Sequence, residues 1–305
     1  MPVPSAPPPK PLGGARAMLS PKQVALAAGV SESTIKRLVD DGSLKAERTA
    51  GGHRRIRLGD ALRWVRSRGC GQLDPAALSA AVPALEGAAG VDLCDRTAVL
   101  HRYAQALEAG EDAVTTGLAV ALFVAGAELS VVLEEPIRGR YAALRSRCDH
   151  PSRECVVLHR ALANSIAAAG RLRDLIRDGA DTATLPADAP TMALADVGYE
   201  VDSLPVHLAA TVAAAAGYDV TNLGPSVPAE VLGGTADRVR PDLLWVSAGG
   251  AGRADAAAVA EALAEAARAC EATGGTLLVH GDALPADAPG ERVNSLSALA
   301  RRLAG

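Results

Sequence analysis

Aromatic residues, cysteines and long apolar runs are all scarce in this chain of 305 residues. Aromatic side chains make up 2% of it, so its cores must be built from Ala, Leu and Val, and a stacking surface for single-stranded nucleic acid is not expected. Five cysteines, an odd number at low density, argue against a secreted disulfide framework. The longest uncharged apolar stretch, 113–127, is too short to span a bilayer, and the sequence shows no secretory signal. We therefore expect a soluble, cytoplasmic protein that has no membrane partner.

The chain does contain a strong segregation of charge. Residues 1–70 carry thirteen Lys and Arg against five Asp and Glu, whereas residues 71–305 carry eighteen against thirty. The first part therefore has a formal charge of +8 and the second a formal charge of −12. A small basic unit on a larger acidic body indicates a polyanion-binding head, and the acidic body would confine contact with a polyanion to that head.

The residue pattern divides the chain into five parts. Residues 1–18, rich in Pro and Gly, predict a disordered tail, 19–69 a compact basic unit, and 70–91 a linker with a helical turn or two. Residues 92–180 carry apolar residues at helical spacing in four stretches with short connections, which predicts a four-helix bundle. Residues 189–305 alternate between strand-like and helical patterns, which predicts a Rossmann-like α/β domain with a parallel sheet. Ligands of such sheets bind at the carboxyl ends of the strands.

The predicted elements of the two larger parts have the following bounds. The helices of the bundle are predicted at 93–107, 111–127, 129–144 and 153–177. The strands of the α/β domain are predicted at 191–197, 218–223, 243–246 and 276–280. Its helices are predicted at 204–216, 229–239, 254–270 and 295–303.

The basic unit opens with the start and stop signals of two short helices. Ser20 can cap a helix that has Pro21 at its first position and Gln23 placed to reach back. Ser31 can cap a second helix, and Gly42 can take the left-handed position that ends it. Two capped helices joined by a tight turn predict a helix-turn-helix, whose second helix enters the major groove of DNA. The polar residues expected to face outward from that helix are Ser33, Thr34, Lys36 and Arg37.

A basic β-hairpin follows, because residues alternate on both sides of Gly51 and Gly52. Its tip and return strand carry Arg48, His53, Arg54 and Arg55. The whole string SPKQVALAAGVSESTIKRLVDDGSLKAERTAGGHRRI resembles the winged helix-turn-helix of the MerR and excisionase-like families. This resemblance implies that the second helix reads the major groove of double-stranded DNA while the hairpin, as a wing, grips the flanking backbone or minor groove. The alternative interpretation is a protein-binding helical hairpin with a solvated basic face.

The order of the parts resembles a second, larger arrangement. A MerR-like head, a four-helix bundle and a C-terminal α/β domain follow one another in the cobalamin-dependent light-responsive repressors of the CarH/LitR type. In that family the α/β domain carries Asp/Glu-x-His-x-x-Gly, then Ser-x-Leu, then Gly-Gly. The His supplies the lower cobalt ligand, and the other residues make room for the nucleotide tail of cobalamin.

The chain keeps only part of each of these motifs. The first motif keeps Glu200 but has Asp202 in place of the His and Pro205 in place of the Gly; the second keeps its Ser, and the third keeps one of two glycines. A carboxylate substitutes poorly for imidazole at cobalt. The Trp and Glu-His with which the family closes the upper face of the corrin are not reproduced in the region of Tyr141. We therefore expect a cobalamin-binding-like fold with a degenerate ligand motif and no assured cofactor. The candidate residues of the ligand cleft are Glu200, Asp202, Ser203, Ser247, Gly249, His280, Gly281 and Tyr141.

A small group of metal-ligating residue types lies around the junction of the third and fourth predicted helices. Its members are Cys148, His150, Cys155 and His159. Cys155 and His159 are four apart on a predicted helix, so both could reach one ion from one face. The spacing fits no standard zinc pattern, and the alternative is a Cys-Asp-His loop followed by a buried Cys and a packing His, so no metal is expected.

Together these patterns predict a DNA-binding transcriptional regulator of MerR-like type that is not an enzyme. One head offers only a short helix and a wing, so useful specificity requires a homodimer or tetramer that reads two half-sites. RNA polymerase is a further candidate partner. Three alternatives stay open. The first is a cobalamin-dependent sensor, such as a light- or ligand-responsive repressor, or a cobalamin-dependent methyl carrier, and the second is a metal- or thiol-responsive regulator of MerR-like type. The third is an architectural DNA-bending protein of excisionase type, against which the large acidic body argues.

Overall fold

The computed structural model describes residues 17–69, 73–147, 154–179, 185–198, 203–249 and 254–305. The predicted tail lies outside these ranges, except for its last two residues. Within the described part of the chain, none of the helices is both long enough and apolar enough to cross a membrane.

The basic unit folds as a winged helix-turn-helix. Its elements are β1 Met18–Leu19, α1 Pro21–Ala27, α2 Glu32–Asp40, β2 Glu47–Arg48, β3 Arg54–Arg57 and α3 Leu58–Arg66. The predicted capping box starts α1: the Ser20 hydroxyl accepts the Gln23 backbone N–H at 3.3 Å, and the Gln23 side-chain oxygen accepts the Ser20 backbone N–H at 2.9 Å. The Ser31 hydroxyl accepts the backbone N–H of Thr34 at 3.2 Å and starts α2. Gly42, with φ of +80°, follows the end of α2 in the predicted left-handed conformation.

The strand β1 corrects the predicted boundary between tail and head. Met18 and Leu19 pair antiparallel with Arg57 and Ile56, which makes β3 the central strand of a small sheet in the order β1-β3-β2. Leu19 and Ile56 are both buried in the core of the head. The winged unit therefore begins before residue 19. Two residues are too few to show an alternation of apolar and polar positions, so the sequence pattern carries no signal for this strand.

The central part is helical, with a change of helix type in its third stretch. Its elements are α4 Arg96–Ala109, α5 Asp112–Val124, α6 Leu129–Val132, a π-helical segment Leu133–Gly139, α7 Arg140–Arg145 and α8 Glu154–Gly179. The π-helical segment contains Pro136. Proline has no backbone N–H and its ring clashes with the carbonyl one turn earlier, so a locally wider turn accommodates it without ending the helix. The four predicted helices thus correspond to α4, α5, the continuous stretch from α6 to α7, and α8, each within a few residues of the expected bounds.

The predicted linker contains helical turns, as expected, and it is folded onto its neighbours. It forms two 3₁₀ turns, Pro75–Leu78 and Pro83–Ala88, whose apolar side chains are buried in the core that the head shares with the central helices. The second turn lies against α5 through two glycines. A Cβ built at Gly117 would lie 2.7 Å from the Ala84 carbonyl oxygen, and one built at Gly87 would overlap the backbone at Ala113. The segment looks like a linker in sequence because its closest contacts are made by glycines rather than by periodic apolar side chains.

The C-terminal part is an α/β domain with a parallel sheet. Its elements are β4 Thr191–Asp196, α9 Leu204–Ala215, β5 Asp219–Gly224, α10 Ala229–Gly233, α11 Thr235–Arg238, β6 Leu243–Ser247, α12 Ala256–Thr273, β7 Thr276–His280, β8 Glu291–Arg292 and α13 Leu296–Leu303. The strand order is β5-β4-β6-β7-β8, and every neighbouring pair is parallel. The alternation and the four predicted strands are confirmed. Two details differ, since the helix predicted at 229–239 is divided at Gly234 and the short edge strand β8 was not expected.

The sheet buries both of its faces. On one face Met192, Leu194 and Trp245 join a core that continues through α9 and α13 into the central helices and the head. On the other face Leu244 and Val246 pack with α12 in a separate core. The α/β domain is therefore attached to the rest of the chain by one face, and the carboxyl ends of its strands lie next to the α6–α7 stretch.

Candidate DNA interface and strand-end cleft

The second helix of the head separates buried from exposed residues as a groove-reading helix must. Ile35 is completely buried, whereas Ser33, Lys36 and Arg37 are exposed and Thr34 is half-buried. The Lys36 ammonium lies 2.8 Å from the Glu32 carboxylate one turn earlier, an exposed pair of the kind that contributes little to stability. The exposed face of α2 thus presents two cations to the solvent.

The hydroxyl groups at the start of α2 form a local cluster. The Ser31 hydroxyl lies 2.7 Å from the Ser33 hydroxyl and 2.8 Å from the Thr34 hydroxyl. This cluster caps the helix and surrounds its N-terminus with small polar groups. Helix N-termini of this kind favour contact with phosphate, because their backbone N–H groups and dipole are directed toward the anion.

The predicted basic residues of the wing have unequal surroundings. Arg48 and His53 are exposed, and the Arg55 guanidinium donates to the Arg54 backbone carbonyl at 3.3 Å. Arg54 differs from them because its guanidinium donates to both carboxylate oxygens of Asp40, at 2.6 and 2.8 Å. The wing is therefore fastened to the end of α2 by one of the arginines that were expected to contact DNA.

The head is fastened to the central helices by Arg66, a residue that sequence reasoning did not select. Its guanidinium lies 3.6 Å above the ring centre of Phe123, donates to the carbonyl of Phe123, and donates to the carbonyl of Ala127 at 3.4 Å. Burial lowers the pKa of Arg66, and the nearby Glu128 carboxylate opposes that shift. Gly126 allows the approach, since a Cβ there would lie 2.7 Å from the Arg66 carbonyl oxygen. The one available sequence signal is that Phe123 is the single phenylalanine of the chain.

Three polar side chains meet where the central strands of the α/β sheet end. In the parallel register Asp196 of β4 lies beside Ser247 of β6, and Ser247 lies beside His280 of β7. Asp196 and Ser247 are each 1% exposed. The Ser247 hydroxyl donates to the Asp196 carboxylate, whose other oxygen accepts the Gly198 backbone N–H at 2.9 Å. Ser247 and His280 could be predicted from the sequence, whereas Asp196 could not, because it is only the last residue of an apolar run.

The ring of His280 is held by two further contacts. Its Nδ1 lies 2.7 Å from the Val293 carbonyl oxygen, which must accept, so Nδ1 carries the proton. The ring stacks on the indole of Trp245, with ring centres 5.3 Å apart and planes 22° apart. Burial lowers the pKa of His280 and Arg138 adds to this effect, while the Val293 carbonyl, Asp282 and Glu134 oppose it. The neutral imidazole is thus the form that this site favours.

The polar groups at the strand ends are engaged with one another rather than arranged for nucleophilic catalysis. In a serine hydrolase the serine donates to a histidine that is oriented by a carboxylate. Here Ser247 donates directly to Asp196, and His280 donates to a backbone carbonyl. The geometry therefore supports a structural role for all three residues.

The remaining cleft candidates are used for close packing or lie elsewhere. Gly281, with φ of +121°, approaches the Ala248 carbonyl so closely that a Cβ would overlap it, and Gly198 approaches Gly249 in the same way. Ser203 precedes α9 without a hydrogen bond from its side chain to the helix N-terminus. Tyr141 is buried in the core that includes the central helices. Glu200 and Asp202 lie outside the described residues.

The carboxylate of Glu134 connects the π-helical segment to the last helix. Its Oε1 accepts the backbone N–H groups of Leu296 at 2.6 Å and Ser297 at 3.3 Å, and its Oε2 accepts the Ser297 hydroxyl at 2.9 Å. A carboxylate at a helix N-terminus satisfies unpaired N–H groups and is stabilised by the helix dipole. Glu134 therefore holds the central helices against the strand-end side of the α/β domain.

Most of the Cys and His group weighed as a metal site lies outside what the structure describes. Cys148 and His150 lie outside those residues, and the side chain of Cys155 is not described. His159 is exposed on α8. Across the described ranges, no group of three or more His, Cys, Asp or Glu is placed to hold a metal ion.

Comparison with known proteins assigns the head. Residues 18–69 match the family model of a helix-turn-helix domain. The match coincides with the winged unit from β1 to the end of α3 and places the head among helix-turn-helix domains. No curated protein matches the chain.

The rest of the chain is similar in fold to corrinoid proteins. The monomethylamine corrinoid protein of Methanosarcina barkeri superposes with a TM-score of 0.50 at 11% identity, over 66% of this chain and 95% of that one. A cobalamin-binding protein of Desulfitobacterium hafniense matches with a TM-score of 0.35 at 16% identity, over 68% of this chain and 98% of that one. The methanol:cobalamin methyltransferase complex of M. barkeri matches with a TM-score of 0.32 at 15% identity, over 69% of this chain and 81% of that one. At these identities the likeness concerns the fold alone.

Bulky side chains fill the sheet face beside the strand ends. The family resemblance implies room for a nucleotide tail beside the positions of Ser247 and Gly281. In this chain Trp245, 1% exposed, fills the same face of the sheet two residues before Ser247, and the ring of His280 covers it. The indole N–H is buried without a hydrogen-bond partner among the described residues, which is the cost of placing so large a ring there. Trp245 and His280 therefore leave this part of the sheet face closely packed.

Proposed function

We propose that this protein is a DNA-binding transcriptional regulator of MerR-like type that acts as a homo-oligomer. The observation that carries the proposal is the match of residues 18–69 to a helix-turn-helix domain, together with the geometry of α2. Its inner face is anchored by Ile35, and its outer face carries Lys36 and Arg37 beside a basic wing. The net charge of +8 over residues 1–70 supplies the attraction to phosphate that non-specific binding needs.

In this proposal the central helices form a four-helix bundle and, with the α/β domain, join the subunits. One head offers a single short helix and a wing, so two heads are needed to read two half-sites. The strand ends carry paired and buried polar groups, which supports a structural α/β domain without enzymatic activity. The crowding of Trp245 and His280 argues against a cobalamin-dependent repressor, the runner-up function. RNA polymerase is included as a partner in this proposal only because a regulator of transcription would act together with it.

The test is selection of duplexes from a random-sequence pool by the intact protein at physiological salt. We expect enrichment of a sequence with two related half-sites, bound at least about a thousandfold more tightly than a scrambled duplex of the same length. Failure of the wild-type protein to enrich any sequence would contradict the proposal.

A double variant locates the interface on the head. Replacing Lys36→Glu together with Arg37→Glu should weaken binding of the selected duplex on the order of a hundredfold, because two cations that face phosphate become anions. The matched control is Arg238→Glu together with Arg301→Glu, which makes the same charge change on exposed residues of the α/β domain. Equal losses in the two double variants would show that only overall charge matters and would remove α2 from the interface.

A further inference from the structure

Asp40 stands where helix electrostatics disfavour a carboxylate. It is the last residue of α2, and its charge therefore meets the negative end of the helix dipole. It also lies in a head of net charge +8 whose proposed partner is a polyanion. A carboxylate that is unfavourable both for its helix and for DNA binding is expected to make a favourable interaction elsewhere in the protein.

The wing supplies that compensation. Arg54 donates from Nη2 to both carboxylate oxygens of Asp40, at 2.6 and 2.8 Å, and from Nε to Oδ1 at 3.1 Å. Only a guanidinium offers such a planar fork of donors. Arg48 lies 3.6 Å from the same carboxylate. Arg48 and Arg54 are direct partners across the hairpin, where two like charges would otherwise repel each other.

The three side chains divide into a support and an available cation. Arg54 is 22% exposed and Asp40 48%, whereas Arg48 is 62% exposed and the more distant partner. Arg54 shares its face of β3 with Ile56, two residues further on, which is buried in the core of the head. Arg55 lies on the opposite face. The Arg54 guanidinium is therefore directed toward the helix, and Arg48 is the one with room to turn outward.

We propose that Asp40 is a positioning residue that sets the wing against the recognition helix α2. The ion pair of Arg54 with Asp40 acts as a strut, which here means that it holds the hairpin at a fixed position against α2. Contact with phosphate is assigned to Arg48, His53 and Arg55. The inference rests on the proposed DNA-binding function, and it changes the role predicted for Arg54 from phosphate contact to support. Discrimination between sequences depends on it, because the wing and α2 must engage the duplex in one fixed relation.

The sign of the effect of Asp40→Asn decides between a strut and simple electrostatics. A strut predicts that the variant binds the selected duplex about fivefold more weakly, the upper range for a half-exposed ion pair, while its affinity for a scrambled duplex is unchanged or higher. A carboxylate that merely repels DNA predicts tighter binding of both duplexes. The matched control is Glu47→Gln, which removes a carboxylate paired with Arg57 at 2.6 Å on the other face of the hairpin. We expect this control to keep the wild-type ratio of the two affinities.

The variant Arg54→Lys keeps the positive charge of residue 54 but removes the planar fork of donors. A strut predicts a loss similar to that of Asp40→Asn, with an unchanged slope of log affinity against log salt concentration, because no phosphate contact is removed. A phosphate contact predicts near wild-type affinity for the lysine variant, and it predicts a slope smaller by about 0.9 for Arg54→Gln.

Hydrogen exchange of the hairpin, measured on the intact protein without DNA, gives an independent readout. Backbone amides of residues 47–57 should exchange faster in Asp40→Asn and Arg54→Lys than in the wild type and in Glu47→Gln. Thermal denaturation of each variant verifies that the head is folded. The inference is overturned if Asp40→Asn binds the selected duplex as tightly as the wild type and shows unchanged exchange. If instead the wild type selects no sequence at all, it is the proposed function that fails.

Discussion

The winged head and the strand ends of the α/β domain use polar residues in opposite ways. In the head, cations such as Lys36 and Arg37 are exposed, while Ile35 on the other side of the same helix is completely buried. At the strand ends, Asp196 and Ser247 are 1% exposed and bonded to each other, and His280 is stacked on a buried indole. The head presents charged side chains at its surface, whereas the strand ends use their polar side chains in contacts within the protein. The likeness to a corrinoid protein concerns the fold, whereas the polar side chains at the strand ends are bonded within the protein.

Among the substitutions that test this contrast, the largest change in the free energy of unfolding is expected at Trp245. Trp245→Ala should lower the free energy of unfolding by about 3–5 kcal/mol, because it leaves a large cavity in the core that joins the α/β domain to the central helices. Chemical denaturation measures this directly. Trp245→Phe keeps most of the volume and removes an N–H that has no hydrogen-bond partner in the described part of the chain, so it should cost less than about 1.5 kcal/mol. If Trp245→Ala were almost as stable as the wild type, the crowding of the strand ends would be an incorrect description.

An intermediate effect is expected at the clamp between the π-helical segment and the last helix. Glu134→Ala should cost about 1–2 kcal/mol of stability, since it leaves the N-terminus of α13 without its carboxylate. The neighbouring Glu135→Ala provides the control. Glu135 makes an exposed ion pair with Arg96, so this variant should cost less than about 1 kcal/mol. Equal costs for the two variants would show that Glu134 does not fasten the domains.

The smallest effect concerns pH and His280. Its pKa is lowered in the folded protein from the ordinary value of 6.5, chiefly by burial, so the unfolded chain binds the proton more readily. The free energy of unfolding should therefore fall as the pH is lowered through about 6.5 and below. Burial also lowers the pKa of His207, so this residue contributes in the same direction. Denaturation at several pH values should show a weaker pH dependence in His280→Gln, which can still donate to the Val293 carbonyl but does not titrate. An unchanged pH dependence would contradict the burial of a neutral imidazole.

The head could be predicted closely because its signals are local. The caps at Ser20 and Ser31 and the glycine after α2 act within three or four residues of themselves, so the sequence shows them directly. The strands of the α/β domain were also accessible, because apolar runs of about five residues between helical patterns have few other interpretations.

What the sequence could not show depends on residues that are distant along the chain. Arg66 reaches Phe123, Ser247 reaches Asp196, and Glu134 reaches Leu296, each across more than fifty residues. No periodicity reports such contacts. The pairing of Arg54 with Asp40 spans only fourteen residues, yet it too was missed, because a basic residue in a wing is equally compatible with phosphate contact and with an internal ion pair.

The stacking of Arg66 on the Phe123 ring affects which spacing of half-sites the proposed regulator could bind. Because the last helix of the head shares a core with the rest of the chain, the head is not tethered by a flexible linker. It therefore cannot reach a half-site at an arbitrary distance. In the proposed homo-oligomer, the association of the bodies would then set the separation and the angle between two heads. Inserting or deleting a few base pairs between half-sites should therefore report on the symmetry of the assembly, with full turns of the duplex tolerated differently from half turns.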